Sequence, residues 1–240
     1  YLTEIRGILD VAMDDEVIQV NQARNIRLGK LGKPEIDPFS SEEVQAIMAN
    51  AHGMFKNYLG IAFNTGLRSG EVLGIMHSDV GEMLSVKRTV TRGRVKEPKT
   101  LGSIRNIPIF DVARPFFDNQ IKRSQTLFLF DRDGENLGDI DYFRRQWRTV
   151  LKKAGVRYRK LYNTRHTFIT AMLNSGHFSV LQIAQMVGHA SPRMIMSTYA
   201  GFVKSEHLKI DVKTDLFGHN MGTVEKEVKS YEFGKSTKSS

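Results

Sequence analysis

The sequence contains no cysteine, and this absence removes several classes of protein at once. Thiolate catalysis and the usual zinc ribbons are excluded, and the composition fits a reducing compartment. No run of residues approaches the roughly 20 apolar residues of a membrane-spanning helix, and no signal peptide is visible. We therefore expect a cytoplasmic protein that has no membrane partner.

Phosphate-loop and metal-binding patterns are also missing. No segment matches the Gly-x-x-x-x-Gly-Lys-Ser/Thr pattern, which argues against an NTPase. A metal-dependent nuclease would need a cluster of carboxylates or histidines, and His77 with Asp79 is the only near pair. The sequence therefore predicts an activity that uses no metal and no cofactor.

Positive charge is what the chain has in excess, with 35 Lys and Arg against 26 Asp and Glu and a net charge of +9. This balance favours a polyanionic partner, although a merely soluble basic protein would show it too. The 240 residues suffice for one large domain or two small ones. Because the chain begins with Tyr1 rather than Met, we expect a fragment of a longer protein.

The stretch from Leu161 to Tyr199 is predicted to form three short helices. The predicted starts are Thr164, Ser179 with Gln182, and Ser191 before Pro192, and the predicted stops of the first two helices are Gly176 and Gly188. Arg165 then lies in the first turn of one helix, His189 just past the end of the next, and Tyr199 in the third. Helix ends, rather than loose loops, would hold all three.

These residue types suit a reaction at a phosphodiester. Arginine offers a planar fork of donors that stays charged, and tyrosine can form a covalent ester. A free phenol has a pKa of about 10, so it needs cationic neighbours or a proton acceptor. The segment NTGLRSGEVLGI supplies a second arginine, because Gly66 ends one helix, Ser69 can cap the next, and Arg68 lies in the corner between them.

The blocks TGLRSGE, TRHTF and GHASPRMIMSTY, in this order, resemble the first-arginine, second-arginine and histidine–tyrosine boxes of the tyrosine recombinase (phage integrase) catalytic domain. The resemblance covers roughly residues 38–202. It implies an α+β fold, mainly α with a small antiparallel β-sheet, and an enzyme that integrates or excises a phage or mobile element by breaking and rejoining DNA. A bacterial cytoplasm or nucleoid would be its location.

The resemblance also implies site residues. Arg68 and Arg165 would bind the scissile phosphate with His189, and Tyr199 would be the nucleophile that forms a 3′-phosphotyrosyl link. Lys99, at the start of a predicted hairpin turn over residues 100–103, would protonate the leaving 5′ oxygen, and Lys96 is the competing candidate. Glu71, three residues beyond Arg68, can pair with it or hold neighbouring side chains in place.

Tyr162 occupies the position at which the family usually has histidine, three residues before the second arginine. A phenol can donate a hydrogen bond to a phosphate oxygen, but it is a poorer proton acceptor than imidazole near neutral pH. Core packing is the alternative role for Tyr162. His166 is offset from the motif position, and we interpret it as structural.

Residues 139–154 are predicted to form a helix with Trp147 facing inward. Its outward face carries the DNA-binding candidates Arg144, Arg145, Arg148, Lys152 and Lys153, and the positive run continues through Arg157, Arg159 and Lys160. A charged helix face is usually only solvated. Since this run leads directly into Arg165, contact with the phosphates of a duplex is the preferred interpretation.

The predicted domains follow from the same resemblance. Residues 1–20 form the last helix of a preceding DNA-binding domain, residues 21–38 a linker, residues 39–202 the catalytic domain, and residues 203–240 a C-terminal segment that docks on a neighbouring protomer and ends in disorder. The expected partners are double-stranded DNA, three further copies of the full-length chain on that DNA, and accessory DNA-bending proteins.

Two alternatives stay open at this point. A type IB topoisomerase uses similar chemistry but relaxes a single duplex. A non-catalytic DNA-binding module would show salt-dependent binding without a covalent product.

Overall fold

The structure of the chain, a computed structural model, describes residues 1–27, 29, 36–97, 104–189, 191–204, 209–210 and 231–232. The chain separates into two compact units, Tyr1–Glu35 and Ile36–Ser240. No described helix has the length and apolar character that a membrane crossing requires.

The smaller unit consists of helix α1 (Leu2–Asp14) and a short 3₁₀ helix, Gln22–Asn25. The Arg6 side chain joins them, because it donates hydrogen bonds to the carbonyls of Ala23 at 2.8 Å and Ile26 at 2.6 Å. Helix α1 is shorter than the predicted 1–20, and it has no buried residue. Ile8 on its apolar face is 69% exposed, so the unit alone does not cover that face.

The larger unit is mainly helical. Its helices are α2 (Ser41–Asn50), α3 (Gly53–Thr65), α4 (Ser69–Leu73), α5 (Arg114–Arg123), α6 (Arg144–Lys153), α7 (Asn163–Ser175), α8 (Val180–Val187) and α9 (Pro192–Tyr199). Short 3₁₀ helices lie at His77–Asp79, Ile140–Phe143 and Ala200–Phe202.

The strands form small antiparallel ladders. Strand β1 (Met83–Val86) pairs with β4 (Arg105–Pro108), and β2 (Thr89–Thr91) pairs with β3 (Arg94–Lys96). Two-residue pairs follow, β5 (Asp131–Arg132) with β6 (Glu135–Asn136) and β7 (Lys209–Ile210) with β8 (Tyr231–Glu232). The predicted fold class, mainly α with a small antiparallel sheet, is confirmed.

Helix α3 lies at the centre of the core, where it packs against α5 and α7. Its residues Tyr58, Leu59 and Ile61 are almost completely buried. Gly60 permits the close approach of α5, because a Cβ atom at this position would lie 2.3 Å from the Phe116 ring. The rigid packing of α3 against α7 fixes the two helix ends that carry the candidate arginines.

Most predicted helix ends are confirmed, and two starts are corrected. Ser40 and Ser179 form the expected capping boxes, and Gly66 and Gly188 adopt the left-handed conformation at their helix ends. The predicted cap Ser69 is instead the first residue of α4, because Arg68 is the N-cap and its backbone N–H donates to Glu71.

The start of α7 also differs from the prediction. Helix α7 begins one residue before the predicted cap Thr164, whose hydroxyl donates to the carbonyl of Leu161. Tyr162 is the N-cap of this helix.

Candidate active site

The ends of four helices meet at the predicted site. The corner between α3 and α4 supplies Arg68, the first turn of α7 supplies Arg165, the residue after the cap of α8 is His189, and α9 supplies Tyr199. We call these four residues the helix-end cluster. The electrostatic influence of Arg165 reaches both His189 and Tyr199, and that of Arg68 reaches His189 and Arg165.

Arg165 is held between two helix C-termini. Its side chain donates from Nη1 to the carbonyl of Gly66 at 2.7 Å and from Nη2 to the carbonyl of Val187 at 2.8 Å. A helix C-terminus carries partial negative charge, so these carbonyls compensate a guanidinium that is only 1% exposed. Its Nε is buried and has no hydrogen-bond partner within the described part of the chain. One donor of this fixed group is therefore left for a ligand.

Glu71 holds two arginines, Arg68 and Arg105, at the site. It is buried, accepts from the Arg68 backbone N–H at 2.8 Å, and forms an ion pair with Arg68 Nη1 at 3.2 Å. Arg105 on β4 donates two further hydrogen bonds to the same carboxylate, at 3.1 and 2.9 Å. Burial acts to raise the pKa of Glu71, but the hydrogen bonds and charges of Arg105 and Arg68 outweigh it and hold that pKa below its usual value. Glu71 thus stays ionised and fixes Arg68.

Arg105 also connects this pair to α8, since its Nε donates to the carbonyl of Met186 at 2.9 Å. The side chain lies so close to the end of α8 that a Cβ atom at Gly188 would lie 2.7 Å from Arg105 Nη1. Arg105 therefore supports both the Arg68 side and the His189 side of the cluster.

His189 follows the left-handed Gly188, and its backbone N–H donates to the carbonyl of Ala184 at 2.9 Å. Burial lowers the pKa of His189 to about 4, and the charges of Arg165, Arg68 and Arg105 act in the same direction. The imidazole is therefore neutral at pH 7. Its Nδ1 is buried and lacks a hydrogen-bond partner among the described residues, so it is available to a ligand.

Tyr199 is 2% exposed, and its hydroxyl lies 2.6 Å from Nδ1 of His166. Burial raises the pKa of Tyr199 to about 12, against the opposing charge of Arg165. The phenol is therefore protonated at neutral pH. Tyr162 is 42% exposed, and its ring packs edge-on against His166 at 5.1 Å between centroids.

The remaining predicted residues have different outcomes. Lys99 and the predicted turn at residues 100–103 lie outside the described residues. Lys96 is exposed on β3, opposite Thr89. We call the five predicted DNA-binding residues of α6 the α6 basic face, and all are exposed: Arg144, Arg145, Arg148, Lys152 and Lys153.

The continuation of the basic run is corrected by the structure. Arg159 forms ion pairs with Asp37 and Glu43, both at 2.8 Å, and its guanidinium lies over the Phe39 ring. Arg157 also pairs with Asp37, at 2.6 Å. These ion pairs join α2 and the segment before it to the segment before α7. Asp37 and Glu43 are more than a hundred positions away in sequence, but the fold brings them next to the two arginines. Arg159, whose side chain is 9% exposed, is therefore a structural residue, whereas Arg157 keeps 68% of its side chain exposed beside Asp37.

Two residues of the site were missed or underrated by sequence reasoning. Arg105 stands in a strand with no local signal, and only the fold brings it to Glu71. His166 was interpreted as structural, but it contacts the phenol of the predicted nucleophile. Its position four residues after Tyr162 places both rings on one face of α7, and this spacing is a signal that could have been used.

The described residues contain no group of three or more His, Asp or Glu side chains that could hold a metal ion. His77 and Asp79, the near pair noted in the sequence, have other partners. His77 lies within hydrogen-bond distance of the Ser124 hydroxyl, and Asp79 forms ion pairs with Lys87 and Arg88.

In sequence, the chain is similar to phage integrases and tyrosine recombinases. The model of the phage integrase family matches residues 37–205. The chain is 24% identical over 252 residues to the "Tyrosine recombinase XerC-like" protein of Caldanaerobacter subterraneus subsp. tengcongensis, covering 89% of this chain and 64% of that protein. It is 23% identical over 237 residues to the ICEBs1 integrase of Bacillus subtilis strain 168, with the same coverage of 89% and 64%. The chain thus spans less than two thirds of the length of these curated relatives.

Solved structures share the fold. The Tn1549 transposon integrase, residues 82–397, in complex with circular intermediate DNA has a TM-score of 0.68 at 18% identity, covering 85% of this chain and 73% of that one. A lambda integrase tetramer bound to a Holliday junction has a TM-score of 0.62 at 16% identity, covering 80% and 57%. At these identities the likeness establishes the fold.

Proposed function

The chain belongs to the phage integrase family, and from this premise we propose that it is the catalytic part of a site-specific DNA recombinase. The enzyme cleaves and rejoins DNA strands through a 3′-phosphotyrosyl intermediate, in the integration or excision of a phage or mobile element. The observation that carries the proposal is the helix-end cluster, in which the charge of Arg165 acts on both His189 and the buried Tyr199, and the charge of Arg68 acts on His189.

The chemistry follows from the free donors of that cluster. Arg165, through its unpaired Nε, and Arg68 bind the non-bridging oxygens of the scissile phosphate, and His189 donates a third hydrogen bond. Tyr199 then attacks phosphorus in line. Because Gly66 and Val187 already fix the Arg165 guanidinium, the donors need little reorganisation when charge develops in the transition state.

The leaving 5′ oxygen needs a proton donor. Lys99 is the proposed donor and Lys96 the alternative. Tyr162, which is partly exposed beside His166, gives a further hydrogen bond to the phosphate. A 5′ hydroxyl from a second strand reverses the reaction, and since the covalent link conserves the phosphodiester bond energy, neither a nucleotide nor a metal ion is needed.

The proposed partner is double-stranded DNA, bound by a homotetramer of the full-length chain with accessory DNA-bending proteins. Support for DNA comes from the net charge of +9 and from the α6 basic face. Support for the tetramer comes from the lambda integrase that was solved as a tetramer on a Holliday junction. A DNA substrate would place the reaction in the cytoplasm of a bacterial host.

The proposed domain organisation explains the exposed apolar face of α1. Residues 1–20 contain α1, which is the last helix of a preceding DNA-binding domain, and the other helices of that domain would cover Ile5 and Ile8. Residues 21–38 are the linker, residues 39–202 the catalytic domain, and residues 203–240 a segment that docks on a neighbouring protomer.

The test is covalent capture on a nicked suicide substrate that carries the junction sequence of the element encoding the protein. The reaction contains EDTA and is analysed on a denaturing gel. We expect a DNA–protein band from the wild type, none from Tyr199→Phe, and a normal band from the control Tyr158→Phe, whose side chain is exposed. Binding should be nearly equal in all three proteins.

Other results would favour the alternatives. Binding without a covalent band, also in the full-length chain, would point to a non-catalytic DNA-binding module. A covalent band together with relaxation of one supercoiled circle, but no exchange between paired sites, would point to type IB topoisomerase activity.

A further inference from the structure

Among the described residues, the Tyr199 hydroxyl has one hydrogen-bond partner, Nδ1 of His166 at 2.6 Å, although no motif assigns His166 a role. The two side chains come from different helices, α7 and α9, and lie 33 positions apart in sequence. Their rings are 5.6 Å apart between centroids. Because Tyr199 is 2% exposed, water cannot easily replace this contact.

The direction of the hydrogen bond can be assigned. Burial lowers the pKa of His166, and the charge of Arg165 lowers it further, so the imidazole is neutral at pH 7. The phenol is protonated, since the pKa of Tyr199 is raised to about 12. The hydroxyl therefore donates to Nδ1, and the imidazole carries its proton on Nε2.

We propose that His166 is a catalytic residue that accepts the phenolic proton of Tyr199 when the oxygen attacks phosphorus. This inference rests on the proposed function. In the step, the Tyr199 O–H bond breaks, its proton moves to Nδ1, the Tyr199 O–P bond forms, and the P–O bond to the 5′ oxygen breaks. The 5′ oxygen receives its own proton from the proposed lysine. In the rejoining step the imidazolium returns its proton to the departing phenolate.

His166 fits the role of proton acceptor better than the neighbouring side chains Tyr162 and His189 do. Tyr162 stands where the family usually has histidine, and a phenol is a poor acceptor at neutral pH. The His189 imidazole, whose Nδ1 is buried and unpaired, is the proposed donor to the phosphate and so has a different role. His166 is the imidazole already within hydrogen-bond distance of the nucleophile.

DNA binding should strengthen His166 as a base. The groups that face it are Arg165 and Tyr162 from the start of α7, Tyr199 from α9 and His189 after α8. Arg165 is the charged one, and it opposes protonation of the imidazole. A bound phosphodiester anion would offset that charge, so proton transfer becomes easier when the substrate is present.

The test separates proton transfer from simple positioning. In His166→Asn, the amide oxygen can still accept the Tyr199 hydrogen bond but cannot take the proton. We expect single-turnover formation of the covalent complex to slow by about 10²-fold or more at saturating DNA. Thermal denaturation and DNA affinity should remain close to wild type. The matched control is His177→Asn, an exposed site that should keep the wild-type rate.

A second variant tests the chemistry of the proton directly. Replacing Tyr199 by a fluorotyrosine, whose phenol is more acidic, should restore much of the lost rate in the His166→Asn background. A His166→Asn enzyme as fast as wild type would overturn the proposal. So would a slow variant whose rate is indifferent to the acidity of the phenol, because the defect would then be structural.

Failure of the proposed function gives a different pattern. If the wild type binds DNA but forms no covalent band, the variants cannot differ and the proton-transfer role falls with the recombinase assignment. The nitrogen-15 spectrum of the free protein still decides the pairing itself. The Nδ1 resonance of His166 should move on Tyr199→Phe, and a resonance that stays in place would overturn the pairing.

Discussion

The helix-end cluster and the α6 basic face both collect positive charge, but the protein holds that charge in opposite ways. Arg165 is 1% exposed and fixed by two backbone carbonyls. Arg144 on α6 keeps 61% of its side chain exposed and pairs with the equally exposed Asp141. A buried charge survives only if fixed partners replace water, whereas an exposed one is solvated and screened by salt. We therefore expect the cluster to determine rate and the α6 basic face to determine affinity.

The same substitution at one position in each region should give the largest contrast. Arg165→Lys keeps the positive charge. However, a single ammonium cannot donate to the carbonyls of both Gly66 and Val187 and also donate to the phosphate. We expect single-turnover cleavage to fall by about 10²–10³-fold. Arg148→Lys, in which only a contact with the Tyr158 ring changes, should cleave at the wild-type rate. Equal rates in the two variants would remove the distinction between the regions.

Removing the carboxylate that pairs with an arginine of each region should give the next largest contrast, this time in stability. Glu71→Gln leaves the guanidinium of Arg105, 10% exposed, without its counter-ion, and we expect a loss of about 3 kcal/mol in the free energy of unfolding. Asp141→Asn breaks only the exposed pair with Arg144 and should cost less than about 1 kcal/mol. Urea denaturation measures both, and similar losses would contradict the assignment of Glu71 as the support of the cluster.

The helix ends of this site were predictable because their signals are local. The capping box at Ser179 and the left-handed turns at Gly66 and Gly188 depend on residues within one turn of the chain. These signals also placed Arg68 and His189 correctly at helix ends. The predicted caps Ser69 and Thr164 lie one and two residues after the observed N-caps, because neighbouring residues at a helix start can each satisfy its first N–H groups.

The contacts that complete the site were not predictable from local signals. Arg105 reaches Glu71 across 34 positions, and His166 reaches Tyr199 across 33. Arg159 was assigned to DNA because its neighbours in sequence are basic, whereas its partners Asp37 and Glu43 lie more than a hundred positions away. A run of basic residues predicts a DNA-binding surface only if no carboxylate that is distant in sequence forms ion pairs with it. Whether such a carboxylate lies nearby depends on the fold.

Charge removal from the α6 basic face should give a smaller effect, on binding alone. Lys152→Gln with Lys153→Gln removes two charges from the last turn of α6. If both contact phosphates, the slope of log affinity against log salt should decrease in magnitude by about 1.8. The matched control is Lys122→Gln with Arg123→Gln, which removes two charges from the last turn of α5. Identical slopes for the two double variants would mean that α6 contributes only general charge.

The two regions should also differ in their response to pH. The α6 basic face consists of arginine and lysine side chains and contains no histidine. The cluster does titrate, because the pKa of His189 is lowered from 6.5 to about 4 in the folded protein. As the pH falls below 6.5, the unfolded chain therefore binds a proton at this residue before the folded chain does.

Protonation of His189 at low pH therefore lowers the free energy of unfolding. The contribution of His189 to stability is fully present above pH 6.5 and is lost as the pH falls towards 4. In His189→Asn that loss is absent, so the free energy of unfolding should decline less steeply over this range than in the wild type. The difference vanishes at neutral pH and develops only as the pH falls, and urea denaturation across the range measures it. Lys152→Gln should run parallel to the wild type, and a His189→Asn curve that also runs parallel would mean that burial and the neighbouring arginines do not hold His189 neutral.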